Sequence, residues 1–390
     1  NKMKTAVLFL GLILLSGCGG SENSKKDPAD GKVFYSHEKF SMGADLSYVN
    51  QILDYGGLYR DSGKVTDPYV IFRKYGTNTV RFRLWHNPQW TREVYTPPIA
   101  NMYNDFADVK RGMQAAKAQG MAVSLDFHYS DFWADPGRQE TPAAWLGLSL
   151  EILRDSIYNY TLKTLDKLEA AGIMPEYVQV GNEINPGFLL PQGDRWAKKG
   201  DFVYLINGAI KAVRDAAVSS SIKPRIIVHV AQPENAINWF DGMAAAGLTD
   251  YDIAGISYYY IWSTVSIDSV SDYVADIKTM TGKEVMVVET AYPWTLNNAD
   301  SYNNILAPDK LTVAYPANQT GQYDYLVKLT QEIIDGGGTG IHYWEPAWIT
   351  SEMRDKWGQG SSWDCNTLFD FTGNVIKGMN YMTYPYVFTN

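Results

Sequence analysis

Two glutamates each close an apolar, strand-like run: Val178-Gln179-Val180-Gly181-Asn182-Glu183 and Val285-Met286-Val287-Val288-Glu289. A carboxylate at the C-terminal end of a buried strand sits where an α/β barrel carries its chemistry. Two carboxylates flanking a glycosidic bond supply what a retaining glycosidase needs, one acid/base and one nucleophile. The two neighbourhoods differ. Glu183 follows Asn182, whose amide can bond a sugar 2-hydroxyl. Glu289 ends a more apolar strand, and Arg81 with a tyrosine hydroxyl could hold it ionised. A carboxylate beside a cation has a lowered pKa and stays a nucleophile, while its partner must remain protonated to act as an acid.

Such groups need a scaffold that delivers strand ends to one face. Short apolar runs alternate with longer amphipathic stretches along the chain. Strands are expected over Ser41–Ala44, Thr79–Leu84, Ala122–Phe127, Tyr177–Val180, Arg225–Val230, Asp252–Ser257, Glu284–Val288 and Gly340–Trp344. Helices are expected over Pro68–Tyr75, Asp105–Gln119, Leu148–Ala171, Asp201–Val218, Pro233–Ala246, Val270–Thr279, Gln322–Asp335 and Asn374–Met382. Gly120, Gly172 and Gly247 stand where helix C-caps would fall. Eight βα repeats with near-continuous apolar strands predict an α/β fold, a single (β/α)8 TIM barrel. The alternative is an open doubly wound sheet, and no Gly-rich dinucleotide fingerprint follows the first strand.

In a barrel the loops after the strands form the active face. His86, His128, His229 and His342 fall at or near such ends, as do Trp85, Trp133, Trp262, Trp294, Trp344 and Trp348. Asp45 follows the first strand, Arg81 and Arg83 lie toward the end of the second, and Tyr258, Tyr259 and Tyr260 follow the sixth. An isolated strand-end His is commonly structural, and a strand-end Trp can simply cap the core. The histidines lack the spacing of a catalytic zinc site. Convergence favours function: aromatic faces for sugar stacking, polar groups for hydroxyls, and two glutamates for chemistry.

The 390 residues suit one barrel with long loops. A formal charge of −9 argues against nucleic acid as a partner. Aromatic residues make up 14% of the chain, which fits a glycan binder and equally fits a Trp-rich core. Lys2 and Lys4 precede the apolar run Ala6–Leu15, too short to span a bilayer as a helix. The run ends in Leu15-Ser16-Gly17-Cys18, which resembles a bacterial lipobox with Cys18 as the lipid-modified residue. Residues 1–17 are thus expected to be a lipoprotein signal peptide, 18–32 a polar flexible tether, and 33–390 the catalytic domain. The expected location is the bacterial cell envelope, outer membrane or cell surface, with the lipid anchor in the membrane and the protein acting as a monomer. Only Cys365 accompanies Cys18, so no internal disulfide is expected.

Longer words narrow the reading. They are Gly43-Ala44-Asp45-Leu46-Ser47, Thr79-Val80-Arg81-Phe82-Arg83-Leu84-Trp85, Asp126-Phe127-His128-Tyr129-Ser130-Asp131, Trp133-Ala134-Asp135-Pro136-Gly137 and Gln179-Val180-Gly181-Asn182-Glu183-Ile184. Further along come Gly255-Ile256-Ser257-Tyr258-Tyr259, Glu289-Thr290-Ala291-Tyr292, Trp344-Glu345-Pro346 and Gly360-Ser361-Ser362-Trp363-Asp364. With Asn182-Glu183 after strand four and Glu289 after strand seven, the chain resembles glycoside hydrolase clan A and, within it, family 53, the arabinogalactan endo-β-1,4-galactanases. The resemblance implies an open groove for a polymer and hydrolysis of β-1,4-galactan with retained configuration. It makes Glu183 the acid/base and Glu289 the nucleophile, with Asp45, Arg81, Trp85, His128, Asn182, Tyr258, Tyr259 and Trp344 binding substrate. Tyr260 stands where the family often has proline. Some members bind Ca2+ after strand seven; the matching residues are Asn298, Asp300, the Tyr302 carbonyl, Asn304, Ser361 and Asp364, with Asn298 replacing an aspartate. Alternate oxygen donors suit calcium. Two other readings remain: another clan A endo-glycanase acting on mannan, xylan or glucan, and a non-catalytic surface glycan-binding lipoprotein.

Overall fold

The computed structural model describes residues 31–388. The expected signal peptide, Cys18 and nearly all of the tether lie outside them. Eight strands form the scaffold: β1 (Ser41–Asp45), β2 (Thr79–Leu84), β3 (Ala122–Phe127), β4 (Tyr177–Val180), β5 (Arg225–Ala231), β6 (Ile253–Ser257), β7 (Glu284–Thr290) and β8 (Gly340–Tyr343). Each neighbour pair is parallel, and β8 returns to β1, closing the barrel. The expected strands agree with these to within two residues at either end. Nearly every strand residue is buried, as a sheet with a filled interior and helices outside requires. Gly43 shows how tight that interior is: a Cβ there would meet the His342 imidazole at 2.1 Å.

Seven helices wrap the barrel: α1 (Pro68–Lys74), α2 (Phe106–Ala118), α3 (Leu150–Ala170), α4 (Lys199–Ala217), α5 (Pro233–Ala245), α6 (Val270–Thr281) and α7 (Gln319–Asp335). Their starts are chemically marked. Asp67 accepts from the Tyr69 and Val70 amides with Pro68 in the first turn, Asp105 accepts from Asp108 N, Ser149 from Ile152 N, and Asn318 from Gly321 N. Gly120, Gly172 and Gly247 adopt φ of +74°, +72° and +104°, the left-handed conformation expected just past a helix.

The expected terminal helix is displaced. Asp370 accepts from the Thr372 and Asn374 amides, and Val375 bridges to Phe369. That turn consumes the first residues of the expected helix, leaving a 3-10 stretch over Lys377–Thr383. Two short helices, Val49–Asp54 and Trp90–Glu93, were not expected; six and four residues carry too little periodicity. The pairing of β6 with β7 shifts register between Ile256 and Ser257, and that of β7 with β8 between Val287 and Thr290. Both irregularities flank Glu289 at the C-terminal rim, where bulges re-aim side chains. Among the described residues no helix is long and apolar enough to cross a membrane.

Candidate active site

Glu183 sits just past β4 and Glu289 near the end of β7, and both face one cavity of about 660 Å3 at the C-terminal mouth of the barrel. Asp45, Arg81, His128, Asn182, Tyr259 and Trp344 share its wall. Glu183 has φ of +47°, a left-handed conformation uncommon for a residue with a side chain. Backbone strain of this kind persists where the surroundings over-determine it, and it clusters at functional sites.

Arg81, 1% exposed, organises the floor. Its Nη1 donates to Glu289 Oε1 at 2.9 Å and to Asp45 Oδ2 at 3.1 Å. Its Nη2 donates to Gln179 Oε1 and Asn182 Oδ1, both at 3.0 Å, and pairs with Asp126 Oδ2 at 3.0 Å. The Tyr259 hydroxyl donates to Glu289 Oε2 at 2.9 Å. Glu289 thus has the two partners expected of it, an arginine and a tyrosine. On the other carboxylate, Ser257 Oγ donates to Glu183 Oε1 at 2.6 Å.

Burial pushes both glutamates above the ordinary carboxylate range. For Glu183 the shift is large, because the Glu289 and Asp135 charges add to desolvation, against the Ser257 hydrogen bond and Arg81. For Glu289 the shift is also upward, opposed by Arg81 and Tyr259. The expectation of a lowered Glu289 pKa is therefore corrected. One guanidinium is shared among Asp45, Asp126 and Glu289, and the two aspartates push Glu289 up. The order of ionisation survives: Glu289, with a cation and a hydroxyl on it, ionises before Glu183.

Two expected binding residues are not on the cavity. Trp85 is fully buried beneath it, packed edge-on against Trp133 and donating to His128 Nδ1 at 3.1 Å. The Tyr258 hydroxyl turns away and donates to the Val265 carbonyl. Successive residues point in opposite directions at a strand end, so Ser257 and Tyr259 face the mouth and Tyr258 does not. Of the strand-end histidines only His128 lines the cavity. His86 stacks near Trp145 and Tyr160, and His229 and His342 are buried inside the barrel, the latter pushed down to about 3 by burial.

Other residues enter the site beyond those expected as ligands. Arg83 lies between the Tyr48 and Trp133 rings, 4.2 and 4.3 Å from their centroids, and donates to Glu345 at 2.6 Å. The alternation of Arg81-Phe82-Arg83 carried that signal, since period two puts both arginines on the inner face. Trp133, Trp348 and Trp363 complete an aromatic wall, while Trp262 and Trp357, 53% and 58% exposed, reach solvent at the rim. Exposed aromatic faces beside a groove suit sugar rings. Trp357 lies far past the end of β8, where strand-end reasoning does not look.

The expected calcium ligands are only partly assembled. Asp300 Oδ2 and Asp364 Oδ2 both contact Thr350 Oγ1, at 2.6 and 2.8 Å. A hydroxyl has one proton, so one of these contacts is two oxygens facing each other without a donor. Asn304 donates to Asp364 at 2.6 Å, and its own Oδ1 is buried without a partner. Each of the four carboxylate oxygens also accepts from a nitrogen, Tyr302 N and Ser361 N on Asp300, Ala299 N and Asn304 Nδ2 on Asp364. Ser361 Oγ is spent on the Trp348 carbonyl, and Asn298 is exposed. Among the described residues no group of three or more His, Cys, Asp or Glu is placed to hold a metal.

A closed parallel barrel with a carboxylate at the mouth of β4 and another on β7, in a cavity walled by tryptophans, defines a glycoside hydrolase scaffold. The sequence profile of Glycosyl hydrolase family 53 matches residues 41–382, and the chain belongs to that family. It is 39% identical over 377 residues to an arabinogalactan endo-beta-1,4-galactanase of Cellvibrio japonicus (strain Ueda107), covering 95% of this chain and 94% of that one. It is 30% identical to an endo-beta-1,4-galactanase of Bacillus subtilis (strain 168), covering 98% and 97%. Among solved structures, a family 53 catalytic domain from Ignisphaera aggregans superposes with a TM-score of 0.82 at 31% identity, covering 94% of this chain and all of that one.

Proposed function

We propose that the protein is an endo-acting β-1,4-galactanase that hydrolyses galactan with retention of configuration. The observation that carries this reading is the asymmetric pair: Glu289 held by Arg81 and Tyr259, Glu183 protected from ionising by burial and by the Glu289 charge. Glu289 attacks the anomeric carbon while Glu183 gives its proton to the departing glycosidic oxygen. Glu183, now a carboxylate, takes a proton from water, whose oxygen then displaces Glu289 from the anomeric carbon. The relatives named as galactanases support the substrate, and the groove with exposed tryptophans at its rim supports a polymer. Chromatography of early products from linear galactan should show mixed oligosaccharides. Galactose released alone from chain ends would refute the endo mode, and activity confined to mannan or xylan would refute the substrate.

Two features accompany this reading. A calcium ion held by Asp300, Asp364, Asn304 and neighbouring oxygens would pin the loop between β7 and α7 against the loop after β8. Lipidation of Cys18 would anchor the enzyme to the bacterial envelope, with several acyl chains giving firm attachment. Wild-type protein should fractionate with membranes and Cys18→Ala should not; a soluble wild type with a different mature N-terminus would overturn the anchor alone.

A further inference from the structure

Arg81 can only donate, so the oxygen of Gln179 must face it, at 3.0 Å from Nη2. The Gln179 amide nitrogen is thereby turned inward, with Asp126 Oδ1 at 2.7 Å, the Gly181 carbonyl at 2.9 Å, and Asn182 Oδ1 and His229 Nδ1 both at 3.1 Å. The backbone amide of Glu183 donates to the same Nδ1 at 3.2 Å. A backbone N–H always carries its proton, so Nδ1 accepts from Glu183 and holds none of its own, although Asn182 Oδ1 also lies 3.1 Å from it. His229 is fully buried beside Arg81, and burial with that positive charge holds its pKa well below the ordinary imidazole range, so it is neutral. Its single proton therefore sits on Nε2, which lies 2.7 Å from Ser257 Oγ. Ser257 must accept from His229 and has its own proton left for Glu183 Oε1, 2.6 Å away.

We propose that Ser257, oriented by His229, is a positioning residue that reserves one oxygen of Glu183 as an acceptor and so confines the catalytic proton to the other, Oε2. The acid then delivers from a single oxygen in the first step and recovers its proton on the same oxygen in the second. The path begins at the Glu183 backbone amide, which fixes the His229 tautomer. The inference deepens the functional reading above and rests on Glu183 being the acid/base.

The groups that face Glu183 are Glu289 from β7, Arg81 from β2, Asp135 from the loop after β3, Ser257 and Tyr259 from the end of β6, and His229 from β5. A hydrogen bond donated to a carboxylate favours its charged form, so its loss raises the pKa. Ser257→Ala should move the alkaline limb of kcat/KM upward by about one pH unit or more. It should slow galactan roughly tenfold while sparing an aryl galacto-oligosaccharide with a good leaving group, which needs little protonation. Ser257→Thr, which keeps the hydroxyl, should restore the limb. An unmoved limb with equal losses on both substrates would overturn the proposal. Neutron diffraction of the wild type gives a readout independent of any variant: a deuteron on His229 Nε2 and one on Ser257 directed at Glu183 are expected, and a deuteron on His229 Nδ1 would refute the relay. If Glu183→Ala itself slows both substrates equally, the acid/base assignment has failed rather than the relay.

Discussion

The Arg81 guanidinium reaches Glu289 Oε1 at 2.9 Å and Asp45 Oδ2 at 3.1 Å through the same nitrogen, so the cation that holds Glu289 is never its alone. Replacing Arg81 with methionine leaves Asp126 and Glu289 without their cation and Asp45 with only Arg83, 4.0 Å away. Arg81→Met should lower kcat/KM on galactan by about 10²–10³ and destabilise the fold by about 3–5 kcal/mol, as breaking a buried ion pair does. Surviving activity should show an acid limb moved upward, because Glu289 without its cation holds its proton more tightly. Lysine should rescue only partly, since an ammonium cannot serve both edges of the cluster as a guanidinium does. A pH profile unchanged in Arg81→Met would separate Arg81 from the nucleophile.

The wild-type pH dependence follows from the two upward shifts. In the proposed roles Glu289 must be ionised to attack and Glu183 protonated to donate, so activity should rise as Glu289 loses its proton and fall as Glu183 loses its own. Both limbs should lie above the ordinary carboxylate value of roughly 4.3, and kcat/KM should be bell-shaped. The pair interacts, so the limbs report the pair jointly. An acid limb below that value would contradict the shared-cation account of Glu289.

Glu289→Ala should abolish turnover, and azide should yield an α-glycosyl azide from an activated substrate. Glu183→Ala should instead slow unactivated substrates most. Product stereochemistry by NMR distinguishes them, and exchanged phenotypes would reverse the two roles.

Much of this site was legible because barrel chemistry collects at strand ends. Glu183, Glu289, Asp45, Arg81, His128, Asn182, Tyr259 and Trp344 all follow from that rule and share one cavity. Trp85 and Tyr258 satisfy the same rule yet point elsewhere, because a one-residue alternation decides which side chain faces the mouth. Ser257 could not be singled out: a serine among aromatic neighbours gains its meaning only from register opposite Glu289 and contact with Glu183. The upward shift of Glu289 was equally hidden, since its complete burial, the first cause, and the sharing of Arg81 with Asp126 do not show in the sequence.

If the proposed calcium ion is bound, its removal should act on stability first. Asp300 and Asp364 both contact the Thr350 hydroxyl, so a bound cation would offset their mutual repulsion and bind only the folded state. Excess chelator should lower Tm, and Asp300→Asn with Asp364→Asn should abolish the chelator effect. An unchanged Tm with no metal by elemental analysis would leave a metal-free loop.

In the proposed reaction two glutamates cut galactan from within the chain through a covalent step. Proton NMR of linear β-1,4-galactan in the first minutes of digestion tests this most directly. New reducing ends should appear first as the β-anomer on oligosaccharides and only later equilibrate to the α-anomer. An initial burst of α-anomer, or of free galactose alone, would contradict it.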